Sequence, residues 1–389
     1  VCGGTYMSST LLQVYSSREE AHQKVSIIIP SYRGSDRLLK LVEKVASLPY
    51  PSKELIVVVD EPTPLVAEKL RKIPGVKVVI REKRAGKVSA LNTALKMSTG
   101  DLVVFLDDDV AIEDELFLHK IVEKMRDYDI GDIKKVIVAS GLLSKMVYIE
   151  YVSYNFANML VGKLAKRTIA LNGAAFAMKR KALEEIGYFQ PSVSEDFDIA
   201  LRSFKKKHRF TYIGETYVLN YPPENISKWF KQRKRWAIGL AIWLQENFLD
   251  VLTAALKMPH VIIPALIYAL PSLLTTLLAF SLYNHSVEKT AYLVALTLST
   301  FVNQFLPFAS IIAINIHLSY LLTVGVFFIP LVLFSLWHYI AARVVKLKTY
   351  LYLYPLYLYI YQLFWLSILL AGFLRVLILR DRKVEDWVV

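Results

Sequence analysis

Apolar runs and the polar residues that end them organise the first half of the chain. Val25–Pro30 is an apolar run of the kind found in strands buried on both faces. Leu55–Asp60, Val76–Ile80 and Leu102–Asp107 repeat the theme. Helical patterns lie between them, over Asp36–Ser47, Leu65–Lys72 and Lys87–Met97. Strands alternating with short helices predict an α/β fold with a mostly parallel, Rossmann-like sheet and helices on both faces. Further strands are expected at Val136–Ser140, Ile169–Met178 and Phe210–Val218. In such sheets ligands bind at the carboxyl ends of the strands. Here those ends read Pro30-Ser31-Tyr32, Asp60-Glu61 and Asp107-Asp108-Asp109, polar chemistry directly after each apolar run.

Pro222-Pro223 then breaks the chain. Glu224–Phe248 reads as one amphipathic helix carrying Trp229, Trp236 and several basic residues, a composition suited to a membrane interface. Lys228, Lys231, Arg233, Lys234 and Arg235 make spanning costly, so this helix should lie flat. Four apolar stretches follow, Pro259–Tyr283, Ala291–Ile314, Leu318–Ile340 and Leu351–Leu379, each long enough to cross a bilayer. The second carries Asn303, Gln304 and Pro307 and also fits a re-entrant element. The expected organisation is an N-terminal extension (1–24), an α/β domain (25–221), an interfacial helix (222–248), a transmembrane region (249–379) and a C-terminal tail (380–389). The α/β domain is expected on the cytoplasmic side of a multi-pass cell-membrane protein.

Charge changes this picture in one respect. The chain carries 47 Lys and Arg and a formal net charge of +13. The basic residues crowd ahead of and beside the apolar stretches, so the excess fits anionic headgroups and phosphate-bearing substrates rather than nucleic acid. The single cysteine, Cys2, excludes an intrachain disulfide and a cysteine-built metal site.

Four clusters carry candidate chemistry. In isolation an acidic triplet such as Asp107-Asp108-Asp109 is more often a solvated turn capping the next helix, here one starting near Glu113. At the end of an apolar strand, beside two other such ends, the site reading is favoured. Carboxylate oxygens suit Mg²⁺ or Mn²⁺, which neutralise a departing diphosphate. Gly86-Lys87 opens a helix and offers backbone N–H groups and an ammonium to a diphosphate. Ser194-Glu195-Asp196 opens another, Phe197–Lys206. Ser194 is a candidate N-cap, and one of the two carboxylates has the chemistry of a general base. In Gln232-Arg233-Lys234-Arg235-Trp236, Arg235 suits forked phosphate contacts and Trp236 suits stacking on a sugar face. The same residues also fit a merely interfacial helix.

In this order the motifs VSIIIPSY, VVVDE, GKVSALN, FLDDDV, SEDFDIALR and QRKRW resemble family 2 glycosyltransferases of the cellulose synthase, hyaluronan synthase and poly-N-acetylglucosamine synthase type. The resemblance implies a GT-A fold and an inverting transfer from a nucleotide-diphosphate sugar, UDP-linked by expectation. The acceptor would be a growing polysaccharide or, alternatively, a lipid such as a polyprenyl phosphate or glycolipid. It implies that Pro30 and Tyr32 bind the nucleotide sugar, Tyr32 near the base, and that Asp60 or Glu61 reads base or ribose. Lys87 and Asp107 would contact the diphosphate, and Asp107 and Asp109 would hold Mg²⁺ or Mn²⁺. Asp196, with Glu195 beside it, would be the base. Gln232, Arg235 and Trp236 would sit at the diphosphate and acceptor, and Asn172 and Gly173 on an acceptor-facing loop. The donor and the bilayer are the expected partners, with room for an oligomer. Two motifs depart from the family, which usually has Asn-Glu where this chain has Arg33-Gly34 and Asp-Asp-Gly-Ser where it has Asp60-Glu61-Pro62-Thr63. No transmembrane stretch precedes the α/β domain in this sequence, so a complete export channel in one chain is not expected.

Overall fold

The computed structural model describes residues 23–262 and 328–384. It divides the chain into two compact units, one formed by residues 1–265 together with 368–389, the other by residues 266–367.

The first unit is built on an eight-stranded mixed sheet. Its strands are β1 (Val25–Tyr32), β2 (Lys53–Asp60), β3 (Val76–Arg81), β4 (Leu102–Leu106), β5 (Val110–Ala111), β6 (Ile130–Ile137), β7 (Ala175–Lys179) and β8 (Phe210–Asn220). The order is β3-β2-β1-β4-β7-β6-β8-β5. β3, β2, β1 and β4 run parallel, and β7 lies antiparallel to both β4 and β6. The strand order reverses beside β1, which separates β2 from β4, and this is where an open α/β sheet leaves a crevice.

The central strands are apolar on both faces, and successive side chains serve different layers. Ile27, Ile29, Val57, Val59, Val104 and Leu106 pack into one core with helices α1 (Asp36–Ser47), α2 (Pro64–Lys72) and α4 (Phe117–Met125). Ile28, Ile56, Val58, Val103 and Phe105 pack into the other with α3 (Lys87–Met97), α6 (Arg180–Glu185) and α7 (Glu195–Lys205). Each such side chain contributes roughly 1.5–3 kcal/mol on burial. Ser35 and Thr63 cap α1 and α2, accepting from Leu38 N and Val66 N at 3.2 and 3.4 Å.

Two expected strands differ, and one helix was not expected. Val136–Ser140 is only the end of β6, which begins at Ile130. Its polar middle is buried, with Asp132 and Lys135 paired inside the protein and both inaccessible. Residues 169–174 form a loop, and the strand starts at Ala175. The third difference is a 23-residue helix, α5 (Leu142–Leu164), that the sequence pattern did not indicate.

The basic helix, α8, runs over Ile226–Lys257, longer than expected, and bends at Asn247. There the Asn247 amide donates to the Trp243 carbonyl at 2.9 Å, satisfying an acceptor at the bend. One side of α8 is buried in the first unit through Trp229, Arg233, Ala237, Ile238 and Ala241. Part of that cover comes from far along the chain. A Cβ on Gly372 would lie 2.7 Å from Ala237 Cβ, so the two helices meet backbone to backbone, and Val376 packs with Ile238, Ala241 and Ile242.

Of the four apolar stretches, the first two lie almost wholly outside the described residues. Part of the third is the apolar helix Phe328–Val344. The fourth is Leu351–Leu377, a 27-residue helix containing an 18-residue stretch of mean hydropathy 1.8. Among the described residues it is the one helix long and apolar enough to cross a membrane. The described part of the second unit is held by an aromatic cluster in which His338 Nδ1 lies 2.5 Å from the Tyr354 hydroxyl and Phe334 stacks on Tyr357.

Candidate active site

The carboxyl ends of β1, β2 and β4 converge with α3, α7 and α8. β1 and β2 both leave the sheet through left-handed corners, Arg33-Gly34 with φ of 65° and 72°, and Glu61 with φ of 51°. These are the positions where the motifs depart from the family. A Cβ on Gly34 would sit 2.6 Å from Val66, so only glycine fits that corner.

Asp60 is buried, and its carboxylate is already engaged. It pairs with Arg81 through Oδ1 and accepts from Ala85 N and Gly86 N at 2.9 and 3.1 Å through Oδ2. Gly86-Lys87 was expected to offer backbone N–H groups to a diphosphate; the Gly86 N–H is instead turned inward to Asp60, beside that of Ala85. Glu61 accepts from Arg84 N at 3.0 Å and from the Tyr32 hydroxyl at 3.2 Å. Tyr32 is exposed, and the Arg84 guanidinium lies 4.2 Å from its ring centre. An aromatic face, a carboxylate and a guanidinium thus border the outer end of β1 and β2.

Asp107-Asp108-Asp109 forms a turn between β4 and β5, not a helix cap, because α4 starts only at Phe117. Asp107 N donates to Ala174 O at 2.9 Å, and the Ser31 hydroxyl holds Asp108. Asp109 Oδ1 is buried and has no hydrogen-bond partner. Burial, then the charges of Asp107 and Asp108, pushes the Asp109 carboxyl up to about 7. A buried orphan oxygen beside a second carboxylate is the donor set that a divalent cation completes. Among the described residues no three such side chains converge on one point. That still fits Mg²⁺ or Mn²⁺ chemistry, in which one or two carboxylates share the ion with substrate phosphates.

Lys87, the first residue of α3, reaches Asp107 Oδ1 at 2.7 Å and Glu195 Oε1 at 2.8 Å. Burial alone would lower its ammonium; Asp107 and Glu195 outweigh burial and raise it. Asp196 lies beside this cluster, accepting from Gly173 N at 3.0 Å and from Phe197 N at 2.9 Å. Burial, then the Glu195 charge, pushes its carboxyl up to about 7 against Lys87 and those two N–H donors. A Cβ on Gly173 would come 3.4 Å from both Asp196 and Lys87 Nζ, so the loop passes close against the cluster. Asn172 folds back into its own loop, accepting from Ala174 N at 3.0 Å and donating to the Tyr151 hydroxyl at 3.4 Å. Pro30, Lys87, Asp107, Gly173, Glu195 and Asp196 line one small cavity. Ser194 precedes α7 but its side chain caps nothing.

α8 supplies the remaining wall. A Cβ on Gly239 would lie 2.8 Å from Ser194 Oγ, so the helix is pressed against the segment leading into Glu195 and Asp196. Burial lowers the Arg235 guanidinium, against the charges of Glu195, Asp107, Asp109 and Asp196, which raise it. Gln232, Arg235 and Asp109 border a groove of about 610 Å³ whose rim carries Arg37, Lys228 and Lys231. Arg233 is not part of that basic rim. It is fully buried, in a forked pair with Glu150 of α5 at 2.6 and 2.7 Å, and Trp236 stacks on it with its ring centre 4.4 Å away. Glu150 and Tyr151 were not singled out from the sequence. The available signal was a lone carboxylate in the apolar run Met146–Val152, which needs a buried partner.

A mixed, Rossmann-like sheet with carboxylates gathered at its switch point is the GT-A arrangement of glycosyltransferases. The chain belongs to the glycosyltransferase-like family 2, whose profile matches residues 22–239, and it is a glycosyltransferase. It is 27% identical over 236 residues to a poly-β-1,6-N-acetyl-D-glucosamine synthase of Staphylococcus epidermidis, covering 59% of this chain and 57% of that one. It is 25% identical over 232 residues to the probable glycosyltransferase YdaM of Bacillus subtilis, covering 56% and 55%. The chain thus aligns with little more than half the length of these relatives. A mannosyltransferase of Pyrobaculum calidifontis, solved with GDP-mannose and Mn²⁺, shares the fold at a TM-score of 0.51 and 19% identity, over 77% of this chain and 95% of that one.

Proposed function

We propose that the chain is a membrane-embedded, inverting glycosyltransferase that moves a sugar from a nucleotide-diphosphate donor, UDP-linked, to a growing polysaccharide. The observation that carries this reading is the convergence of Lys87, Asp107, Glu195 and Asp196 around Gly173. Tyr32 and Glu61 receive the base and ribose, while Asp60 holds the Arg84–Gly86 loop that carries Lys87. Asp107 and Asp109 would hold Mg²⁺ or Mn²⁺, which when bound neutralises negative charge on the donor's phosphates. Lys87 and Arg235 bring positive charge to the same oxygens. Asp196 takes the proton of the acceptor hydroxyl as that oxygen attacks the sugar carbon, and the nucleotide diphosphate leaves from the opposite face. Gln232 and Trp236 border the acceptor. The synthases among the relatives support a polymeric product. α8 supports placement at the bilayer surface, because it exposes Ile226, Phe230, Leu249, Leu252 and Leu256 beside its lysines. The fourth apolar helix supports membrane embedding, with the site on the cytoplasmic side.

A second reading, one sugar placed on a lipid phosphate, is favoured by the basic rim of the groove beside Asp109. The test is a panel of nucleotide sugars incubated with the full chain in membranes, with nucleotide diphosphate measured and products sized by mass spectrometry. A ladder of sugars supports polymerisation, one added sugar on a lipid supports the second reading, and no release from any donor refutes both.

A further inference from the structure

Helix α5 packs against β6 and β8 and bears an unusual row of buried polar groups, among them Glu150, Asn155 and Asn158. Asn155 serves the sheet, accepting from Lys135 N at 3.2 Å and donating to Lys135 O at 2.8 Å. Asn158 donates to Asp132 at 2.8 Å, inside the Asp132–Lys135 pair. These bonds fix α5 in rotation and height against β6. Glu150 and Tyr151 point the other way in function: they serve the two segments proposed to face the acceptor. Both Glu150 oxygens take the guanidinium of Arg233, and that guanidinium is the platform under Trp236. The Tyr151 hydroxyl, buried one residue on, accepts from the Asn172 amide.

We infer that Glu150 is a positioning residue for glycosyl transfer: through the forked pair with Arg233 it fixes the plane and depth of the Trp236 ring, while Tyr151 anchors the Asn172 loop from the same helical turn. The chemistry favours a rigid platform over a loose one. A forked carboxylate–guanidinium pair is planar and fixes the guanidinium in two dimensions. With Arg233 at 0% exposure and Glu150 at 2%, no water competes for the pair. The guanidinium also lies 5.6 Å from the centre of the Trp229 ring, so two indoles contact the same cation. An acceptor sugar seated on Trp236 therefore inherits its position from Glu150, a residue that itself touches neither sugar. Misplacement of a reacting group by about 1 Å lowers the rate as much as 10²-fold.

This inference rests on the placement of Trp236 at the acceptor, and its test is separable from that placement. The full chain is labelled with 5-fluorotryptophan in detergent, and the ¹⁹F resonance of Trp236 is assigned by its loss in Trp236→Phe. In Glu150→Gln, which keeps the shape but removes the charge, the Trp236 resonance should move or broaden in the resting protein. Turnover should fall about 10–10²-fold, with donor affinity within about twofold of the parent. Glu150→Asp, which keeps the charge, should recover part of both. If Glu150→Gln does not fold, Arg233→Lys carries the same test, because an ammonium cannot make the fork. An unmoved Trp236 resonance in the variant that folds overturns the inference, as does a loss of turnover matched by an equal loss of donor binding. A moved resonance with full turnover, together with full turnover in Trp236→Phe, overturns the acceptor placement instead.

Discussion

Replacing Asp196, the proposed base, by Asn should remove a pH limb and most of the turnover, and the size of each follows from the site. The Asp196 carboxyl is pushed to about 7, from an ordinary value of 3.8, by burial and by the charge of Glu195 beside it. A base with that value is roughly one-tenth ionised at pH 6 and roughly nine-tenths at pH 8, so turnover should rise about tenfold across that interval. An ordinary carboxylate would give a flat profile there. Asn keeps the shape and can still accept from Gly173 N, which Asp196 binds at 3.0 Å, so donor binding should stay near the parent's. Turnover should fall by about 10²–10⁴-fold, the usual worth of a positioned base. Asp109 also sits at about 7, which could mimic the limb. A bound divalent cation displaces its proton, so saturating Mg²⁺ or Mn²⁺ should erase the Asp109 contribution and leave that of Asp196. The assay is nucleotide diphosphate release at saturating donor, acceptor and metal from pH 5.5 to 8.5, with donor affinity from calorimetry. A flat parent profile, or an Asp196→Asn variant that keeps the limb, refutes the assignment. If Glu195→Gln is dead while Asp196→Asn works at the parent's rate, the base is the neighbouring carboxylate.

Excess chelator, or Asp109→Ala, should abolish nucleotide diphosphate release; full activity in chelator would sink the metal assignment. Asp60→Asn loses the charge facing Arg81 and weakens the hold on Ala85 and Gly86, which should cost about 1–3 kcal/mol and loosen donor binding; an unchanged thermal midpoint and donor affinity would show that Asp60 is dispensable. Gly239→Val places a Cβ 2.8 Å from Ser194 Oγ, so it should lower turnover more than donor affinity, and equal losses in both would refute a local effect on the Glu195–Asp196 segment. Stability should fall as pH rises from about 4 to 7, because the folded chain keeps protons on Asp109 and Asp196 that the unfolded chain releases near 3.8. Asp109→Asn should therefore raise the thermal midpoint more at pH 8 than at pH 5, and the reverse order would refute the burial argument.

The parallel half of the sheet was legible because β1, β2 and β4 are buried on both faces, leaving runs such as Ile27–Ile29 and Ile56–Val59 without polar interruption. β6 was only partly legible, because Asp132 and Lys135 neutralise each other inside the protein and imitate a surface loop. α5 escaped for a related reason. Its polar residues are buried too, so its sequence shows no clean apolar stripe to mark a helix face. Local chemistry at Asp107–Asp109, Lys87 and Asp196 could be read because each follows a strand or opens a helix. What could not be read was pairing across distance. Arg233 looked like one more charge on a basic helix, and its partner Glu150 lies 83 residues earlier in the chain. Asp60 had the right place for donor recognition, yet its lone pairs are taken by Arg81 and by two N–H groups some 25 residues away.

The contact between Gly372 and Ala237 bears on the order in which the chain can become active as it is made. The residues that cover α8 beside Trp236 belong to segment 368–389, whereas the rest of that unit ends at residue 265. A ribosome therefore finishes the sheet and all its carboxylates before the strip that closes over Ala237, Ile238 and Ala241 has emerged. In that interval the helix bearing Arg235 and Trp236 lacks one of its neighbours. A nascent chain stalled before residue 368 would therefore hold the completed sheet without the residues that pack on α8 at Ala237, Ile238 and Ala241.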